Sequence, residues 1–343
     1  MNKENLLGKT LSELKEVCQS LALSGYVASQ ICDWLYKKHC LSIDEMSNIS
    51  IKNRELLKSK FVMGAESPSD CQASIDGTKK YLYSIDPDYF VESVYIPDKE
   101  RATLCVSSQV GCKMNCLFCM TGKQGFQKHL SSGEIINQIR SLPESESLTN
   151  VVFMGMGEPF DNLDEVLKAC EILTSAWGYG WSPRRITVST IGYIPGIKTF
   201  LEKSDCHLAI SLHATTDETR IQLMPLQKTY PMKEVLSLLK QYDWSGQRRL
   251  SFEYIMFKGI NDSMEDARRL TQLLRGLVCR VNLIRFHAIE NVPLQSSDIS
   301  AIIQFRDYLS LKGVTTTIRA SRGEDILAAC GMLSSKKQTS SKK

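Results

Sequence analysis

From residue 100 onward the chain alternates short β-like runs with amphipathic helical stretches, and this alternation restricts the fold more than any other feature. The strand candidates are TLCVSS (103–108), VVFMG (151–155), RITVST (185–190), HLAISLHA (207–214), LSFEYIMF (250–257) and VNLIRFH (281–287). Helical segments lie between them. SGEIINQIRSL starts at a capping box of Ser131 and Glu134, and SDISAIIQFRDYLSLKG is closed by Gly313. NLDEVLKACEILTSA, MKEVLSLLKQY and MEDARRLTQLLRGL have the same period. Six strand–helix units require parallel pairing, and right-handed crossovers curl such a sheet into an α/β partial (β/α)6 barrel. A seventh strand-like run, VTTTIRA, follows at 314–320. This core is assigned to 98–333.

Residues 1–62 have a different pattern. Thr10 and Glu13 form a capping box ahead of a helix, a second helix spans 27–39, and a third begins at Ser50. Three short helices with Lys and Arg outward make a small N-terminal helical accessory domain, a candidate RNA-binding module. Residues 63–97 hold KKYLYSI and YFVESVYIP joined through Asp86-Pro87-Asp88, a β-hairpin connector. The last segment, 334–343, is Ser- and Lys-rich and reads as a disordered basic tail.

The net charge of +4, from 42 basic and 38 acidic residues, is too small to identify a nucleic-acid partner alone. Twelve cysteines and an N-terminus without an apolar signal segment fit a reducing, cytoplasmic setting, and no apolar run reaches membrane-spanning length.

Cys112, Cys116 and Cys119, spaced C-x-x-x-C-x-x-C, carry the chemistry. A short loop of this kind can wrap three thiolates around a [4Fe–4S] cluster and leave one iron open for a ligand. A structural zinc site needs a fourth ligand, and neither Cys105 nor His129 stands at a familiar zinc spacing. The spacing, with Phe118 before the last Cys, is also the signature of radical S-adenosylmethionine (SAM) enzymes. In β/α barrels the reactive groups gather at the C-terminal strand ends. Here those ends carry GMGEP with Gly155, Gly157 and Glu158, then Ser189-Thr190, Ser211-Leu212-His213 and His287. Together, beside a cluster loop, they make a cofactor pocket. On alternation alone Glu92, between Val91 and Val94, reads as a solvent-facing strand residue, and Cys105 and Cys330 as inert core cysteines.

FVESVYIP, TLCVSSQVGC, CMTGKQGF, VVFMGMGEP, ITVSTIGYIPGI, LAISLHATTDETR, LMPL and RASRGEDILAACG change that reading. With the N-terminal helical module, they make nearly the whole chain resemble the RlmN/Cfr family of radical SAM RNA adenine methyltransferases, most closely its housekeeping RlmN branch. The resemblance implies that Cys112, Cys116 and Cys119 hold the cluster. It implies that Gly157, Glu158, Ser189, Ser211, Leu212 and His213 bind SAM. Cys330 becomes the methyl-carrying cysteine, Cys105 the thiol that resolves it through a disulfide, and Glu92 a proton acceptor. Where the family often has Asn, this chain has His287, kept as a SAM-binding residue because imidazole offers similar hydrogen bonds.

The implied activity is methylation of carbon 2 of an adenine in 23S rRNA and of adenine 37 in some tRNAs. It would use two SAM per turnover, with an electron donor such as flavodoxin or ferredoxin and a monomeric enzyme. Lys123, Lys128, Arg184, Arg185 and Arg322 are candidate phosphate contacts. Methylation at carbon 8 by the same chemistry, and a zinc-binding RNA adaptor without catalysis, are the alternatives.

Overall fold

The computed structural model describes residues 3–334. All but the first residue of the proposed basic tail therefore lies outside the described residues. The N-terminal module contains β1 (Glu4–Asn5), α1 (Leu11–Ser20), α2 (Gly25–Tyr36), α3 (Ile51–Lys60) and β2 (Phe61–Val62). Thr10 and Glu13 close α1 with both bonds of the expected capping box, and Ser50 caps α3. The second helix starts and stops two to three residues earlier than its period suggests, after Ser24 caps it. Parallel pairing of β1 with β2 ties the two ends of the module together.

Next come β3 (Asp70–Ala73), β4 (Lys79–Asp86) and β5 (Tyr89–Asp98), then β6 (Arg101–Cys105), β7 (Gln109–Val110), α4 (Met120–Lys123) and β8 (Lys128–His129). The core continues as α5 (Ser132–Arg140), β9 (Asn150–Phe153), α6 (Leu163–Thr174), β10 (Ile186–Thr190), α7 (Ile194–Lys203), β11 (His207–Ser211) and α8 (Asp217–Leu223). It ends with α9 (Met232–Leu239), β12 (Leu250–Met256), α10 (Met264–Leu273), β13 (Arg280–Arg285), α11 (Ile299–Leu311) and β14 (Thr315–Arg319).

Seven strands, β6-β9-β10-β11-β12-β13-β14, pair in parallel and in chain order: the six expected units plus the seventh run. The expected hairpin is present, but it does not stand apart. β5 pairs antiparallel with β6, so β3–β5 extend the same ten-stranded sheet. Thr103 of β6 and Thr317 of β14 nevertheless face one cavity, so the sheet curls until its first and last parallel strands share a lumen.

The module docks on α5 at a glycine contact. Gly8 has φ +92°, and a Cβ there would sit 2.1 Å from the Gly133 nitrogen, so no larger residue allows this approach. Arg140 of α5 donates to the Leu35 and Cys40 carbonyls, and one apolar core runs through module and sheet.

Candidate active site

The cluster loop leaves β6 and turns back through Asn115, whose positive φ of 50° bends the chain between the first two cysteines. Cys119 sits at the N-terminal end of α4, and Cys112, Cys116 and Cys119 all line one cavity of about 170 Å³. Burial raises all three thiols, Cys112 to about 12 and Cys116 well above the ordinary value, and Cys116 is pushed further by its two neighbours. Soft sulfur donors crowded in this way want a cation between them. Among the described residues no three His, Cys, Asp or Glu side chains converge tightly enough for one metal ion. Three thiolates facing one cavity suit a cluster in which each holds a different iron.

The polar strand ends meet at the same cavity. Gly157, Glu158, Ser189, Ser211 and His213 line it. Gly157, at φ +97°, leaves no room for a Cβ, which would lie 2.5 Å from Gln109. Glu158 is buried, and its carboxylate accepts from the Phe160 N–H at 3.1 Å and the Ile191 N–H at 2.9 Å. Burial lifts its pKa to about 7, and no cation among the described residues pairs with it. A ligand ammonium would supply the missing charge, which fits the amino group of SAM. The His213 Nδ1 accepts the Ile255 N–H at 3.0 Å, so its proton sits on Nε2 as a donor. Burial drops this imidazole to about 3, so it is neutral at physiological pH. Leu212 differs: its side chain is fully buried in the main core, and its backbone N–H donates to the Glu253 carbonyl.

Cys105 ends β6 and Cys330 lies in the C-terminal loop, and both line the cysteine cavity as free thiols. Burial lifts the Cys105 thiol to about 12, and Cys330 adds to the effect. The Cys330 loop is held by the Met120 N–H to the Gly331 carbonyl at 2.8 Å and by the Thr121 hydroxyl to the Leu333 carbonyl at 2.9 Å. Cluster loop and cysteine loop are therefore laced together.

Glu92 is not solvent-facing, contrary to its alternation. It is 4% exposed, pairs with the buried Lys80 at 3.0 Å and accepts the Ser334 N–H at 2.8 Å. Burial raises its pKa, against the pull of Lys80. The simple alternation rule failed because the C-terminal segment covers the face of β5 that carries Glu92. His287 lines a neighbouring cavity rather than the cysteine cavity, with Nε2 3.1 Å from the Ser321 hydroxyl and Nδ1 3.2 Å from Glu324. Of the candidate phosphate contacts, Lys123 donates to the Glu290 carbonyl, Lys128 pairs with Asp86 and Glu134, and Arg322 pairs with Asp98. Arg185 stacks on Trp181 and bonds the Thr149 carbonyl, whereas Arg184 is exposed.

Three residues of this region were assigned no role, although Arg220 ends LAISLHATTDETR and Arg319 opens RASRGEDILAACG. Arg220, 1% exposed, donates to the carbonyls of Ile191, Ser211 and Leu212 and so holds the ends of β10 and β11. Glu253 is the one charged residue of its strand, and Arg319 lies beside it, raised mainly by Cys330 and also by Glu253 and Cys105. The available signal was one carboxylate in LSFEYIMF and one cation in VTTTIRA.

Comparison with known proteins identifies the family. The model of the radical SAM superfamily matches residues 106–271, and that of the ribosomal RNA large subunit methyltransferase N-terminal domain matches residues 4–63. The chain is 61% identical over 337 residues to the "Probable dual-specificity RNA methyltransferase RlmN" of Parabacteroides distasonis, covering 98% of each chain. It is 41% identical over 340 residues to the "Dual-specificity RNA methyltransferase RlmN" of Syntrophus aciditrophicus, again covering 98% of each. A solved radical SAM methyltransferase from Sphaerobacter thermophilus is 36% identical, with a TM-score of 0.89 over 96% of this chain and 99% of that one.

Proposed function

The chain belongs to the RlmN family of radical SAM RNA methyltransferases, and from that premise we propose that it methylates carbon 2 of an adenine in 23S rRNA and of adenine 37 in some tRNAs. Cys330 is the methyl carrier in this reading, and Cys105 is the resolving thiol. The observation that carries it is the meeting of these two free thiols at one cavity with Cys112, Cys116 and Cys119.

A [4Fe–4S] cluster with SAM on its open iron would supply reductive SAM cleavage, driven by an electron from flavodoxin or ferredoxin. Cys112, Cys116 and Cys119 would hold it, their pKa values lowered by the bound irons. Glu158 holds the ligand ammonium, and Ser189, Ser211 and the His213 Nε2–H offer hydrogen bonds to its carboxylate or ribose. Leu212 shapes that wall from the core side. His287, bonded to Ser321, acts from the neighbouring cavity.

The Cys330 thiol loses its proton and accepts a methyl from one SAM; a second SAM is consumed in activating that methyl for attack on the base. Glu92 accepts the ring proton, for which its raised pKa suits it. Cys105 then attacks the Cys330 sulfur: the S–S bond forms, and the sulfur–carbon bond breaks with its electron pair on carbon. The Cys105 thiol proton passes to that carbon, so a methyl stays on the base, and two electrons from the donor reduce the disulfide before the next turnover. The division into module 1–62 for RNA binding, connector 63–97 and core 98–333, acting as a cytoplasmic monomer, belongs to the same proposal.

Cys105→Ala tests it. Without the resolving thiol, a covalent Cys330–RNA species should accumulate in cells as a nuclease-sensitive band of raised mass, while Cys330→Ala forms none. Normal turnover by Cys105→Ala ends the proposal. Mass spectrometry of the modified adenine then separates carbon 2 from carbon 8.

A further inference from the structure

The interior of a closed eight-stranded barrel is packed by branched apolar side chains. Here the open sheet leaves a hollow lumen on the far side of Cys330, where polar groups share the wall with Ile96, Val152, Met154 and Ile284. Its cavity of about 410 Å³ is lined by Thr103, Thr187, His207, Ser251, Asn282 and Thr317. It shares Glu253, Arg319 and Cys330 with the cysteine cavity, so these three residues stand between the two.

The N-terminal mouth of this lumen is rimmed by cations. Arg101 opens β6, Arg280 opens β13, and Arg249 immediately precedes β12. None of the three makes an ion pair among the described residues, and Arg249 is held below its usual range by burial and by the other two. Burial, joined by the field of Arg249, Arg184, Arg280 and Arg248, keeps His207 neutral, at about 4.

Deeper in, Glu253 is 3% exposed and half satisfied. Its Oε1 accepts from Asn282 at 2.8 Å and Ser251 at 3.3 Å, while Oε2 has no partner. Such an atom costs about 1–3 kcal/mol unless a ligand donates to it. Arg249 and Glu253 are four strand positions apart, roughly 13 Å, about the reach of one extended nucleotide.

We propose that the lumen is the target-nucleotide site: the flipped adenosine of a single-stranded RNA loop enters by the N-terminal mouth, opposite the cluster. Its flanking phosphates rest on Arg101, Arg249 and Arg280, Glu253 Oε2 accepts from the exocyclic amine, and the base reaches Cys330. A flipped base read by hydrogen bonds within a pocket matches the general logic of base-modifying enzymes. This site rests on the RNA-methyltransferase reading above, and it adds a route and a base-recognition residue to it.

The test uses reconstituted holoenzyme and a labelled RNA loop, with cluster absorbance as the fold control. In the Arg249→Gln/Arg280→Gln enzyme the slope of log K against log salt should fall by about 1.4, two contacts at about 0.7 each. Replacing the target adenosine by purine riboside, which lacks the amine, should weaken binding to wild type by about tenfold or more. In Glu253→Gln the amide turns a donor toward that amine, so the discrimination should vanish or invert.

An unchanged slope in the arginine variant, or unchanged discrimination in Glu253→Gln, overturns the proposal. So does arginine-dependent binding of AMP without binding of the RNA, which would make the lumen a free-nucleotide site. Wild-type enzyme that methylates no RNA would instead sink the functional reading itself.

Discussion

The two ends of the barrel solve opposite electrostatic problems. The C-terminal end gathers groups that want a positive partner: three crowded thiols and a buried Glu158 with no cation. The N-terminal end gathers unpaired arginines around a polar hollow. In the proposed reading one end takes a cluster and an ammonium, the other phosphates. Neither balances its charge internally, and on the proposals above each is completed by a ligand rather than by the fold. The apolar core, which is continuous from the N-terminal module through the sheet, supplies the stability that both ends draw on.

The largest expected effect lies at the cysteine end. Cys116→Ala should abolish the brown cluster absorbance and all methyl transfer, because the two free cysteines of that cavity outside the triplet are held elsewhere, Cys105 at the end of β6 and Cys330 in the C-terminal loop. Retention of the chromophore in Cys116→Ala would break the assignment of this end. Arg220→Ala comes next. It strips donors from three backbone carbonyls and from the Gln227 amide oxygen, so unfolding free energy should drop by about 3–4 kcal/mol in denaturant titrations. Loss of under about 1 kcal/mol would show that water replaces the guanidinium and that the strand ends do not depend on it.

The contrast between the ends also explains what the sequence disclosed. The cysteine triplet, GMGE and SLH are contiguous strings, because one loop can place several groups at one strand end. The lumen takes one residue from each strand, so Thr103, Asn282, Glu253 and Arg319 have no common string. The helices α7 and α8 escaped the period reading for a related reason: α7 opens with Pro195 and Gly196, and α8 is only Asp217–Leu223. Glu92 was misjudged by alternation because a two-sided strand hides its polar residues as well as its apolar ones. What periodicity recovered, the order of strands and the capped helices, is set by neighbours along the chain. What it missed is set by neighbours across the sheet.

Glu158 offers a smaller, pH-resolved test. Its pKa rises from 4.5 to about 7, so the folded chain keeps a proton that the unfolded chain releases between those values. Stability should therefore fall as pH rises from 4.5 through 7, by at most about 3 kcal/mol. Glu158→Gln should flatten that slope in calorimetry, and saturating SAM should recover stability above pH 7 in wild type only. An equal slope in both proteins would place the titration elsewhere.

The smallest effect has the opposite sign, which makes it the sharpest comparison of the two ends. Removing a group from the cysteine end should destabilise, but Arg249 at the lumen mouth faces Arg280 and Arg101 without an acidic partner. Arg249→Gln should therefore raise stability by about a few tenths of a kcal/mol at low salt. The gain should fade by about 1 M salt, where the Debye length shrinks to about 3 Å. RNA binding should weaken in the same variant, so stability and affinity move in opposite directions. Positions kept for a ligand at the expense of the fold behave in this way. If Arg249→Gln instead destabilises the protein at every salt concentration, the arginine is a structural element of the rim, and the symmetry drawn between the two ends fails.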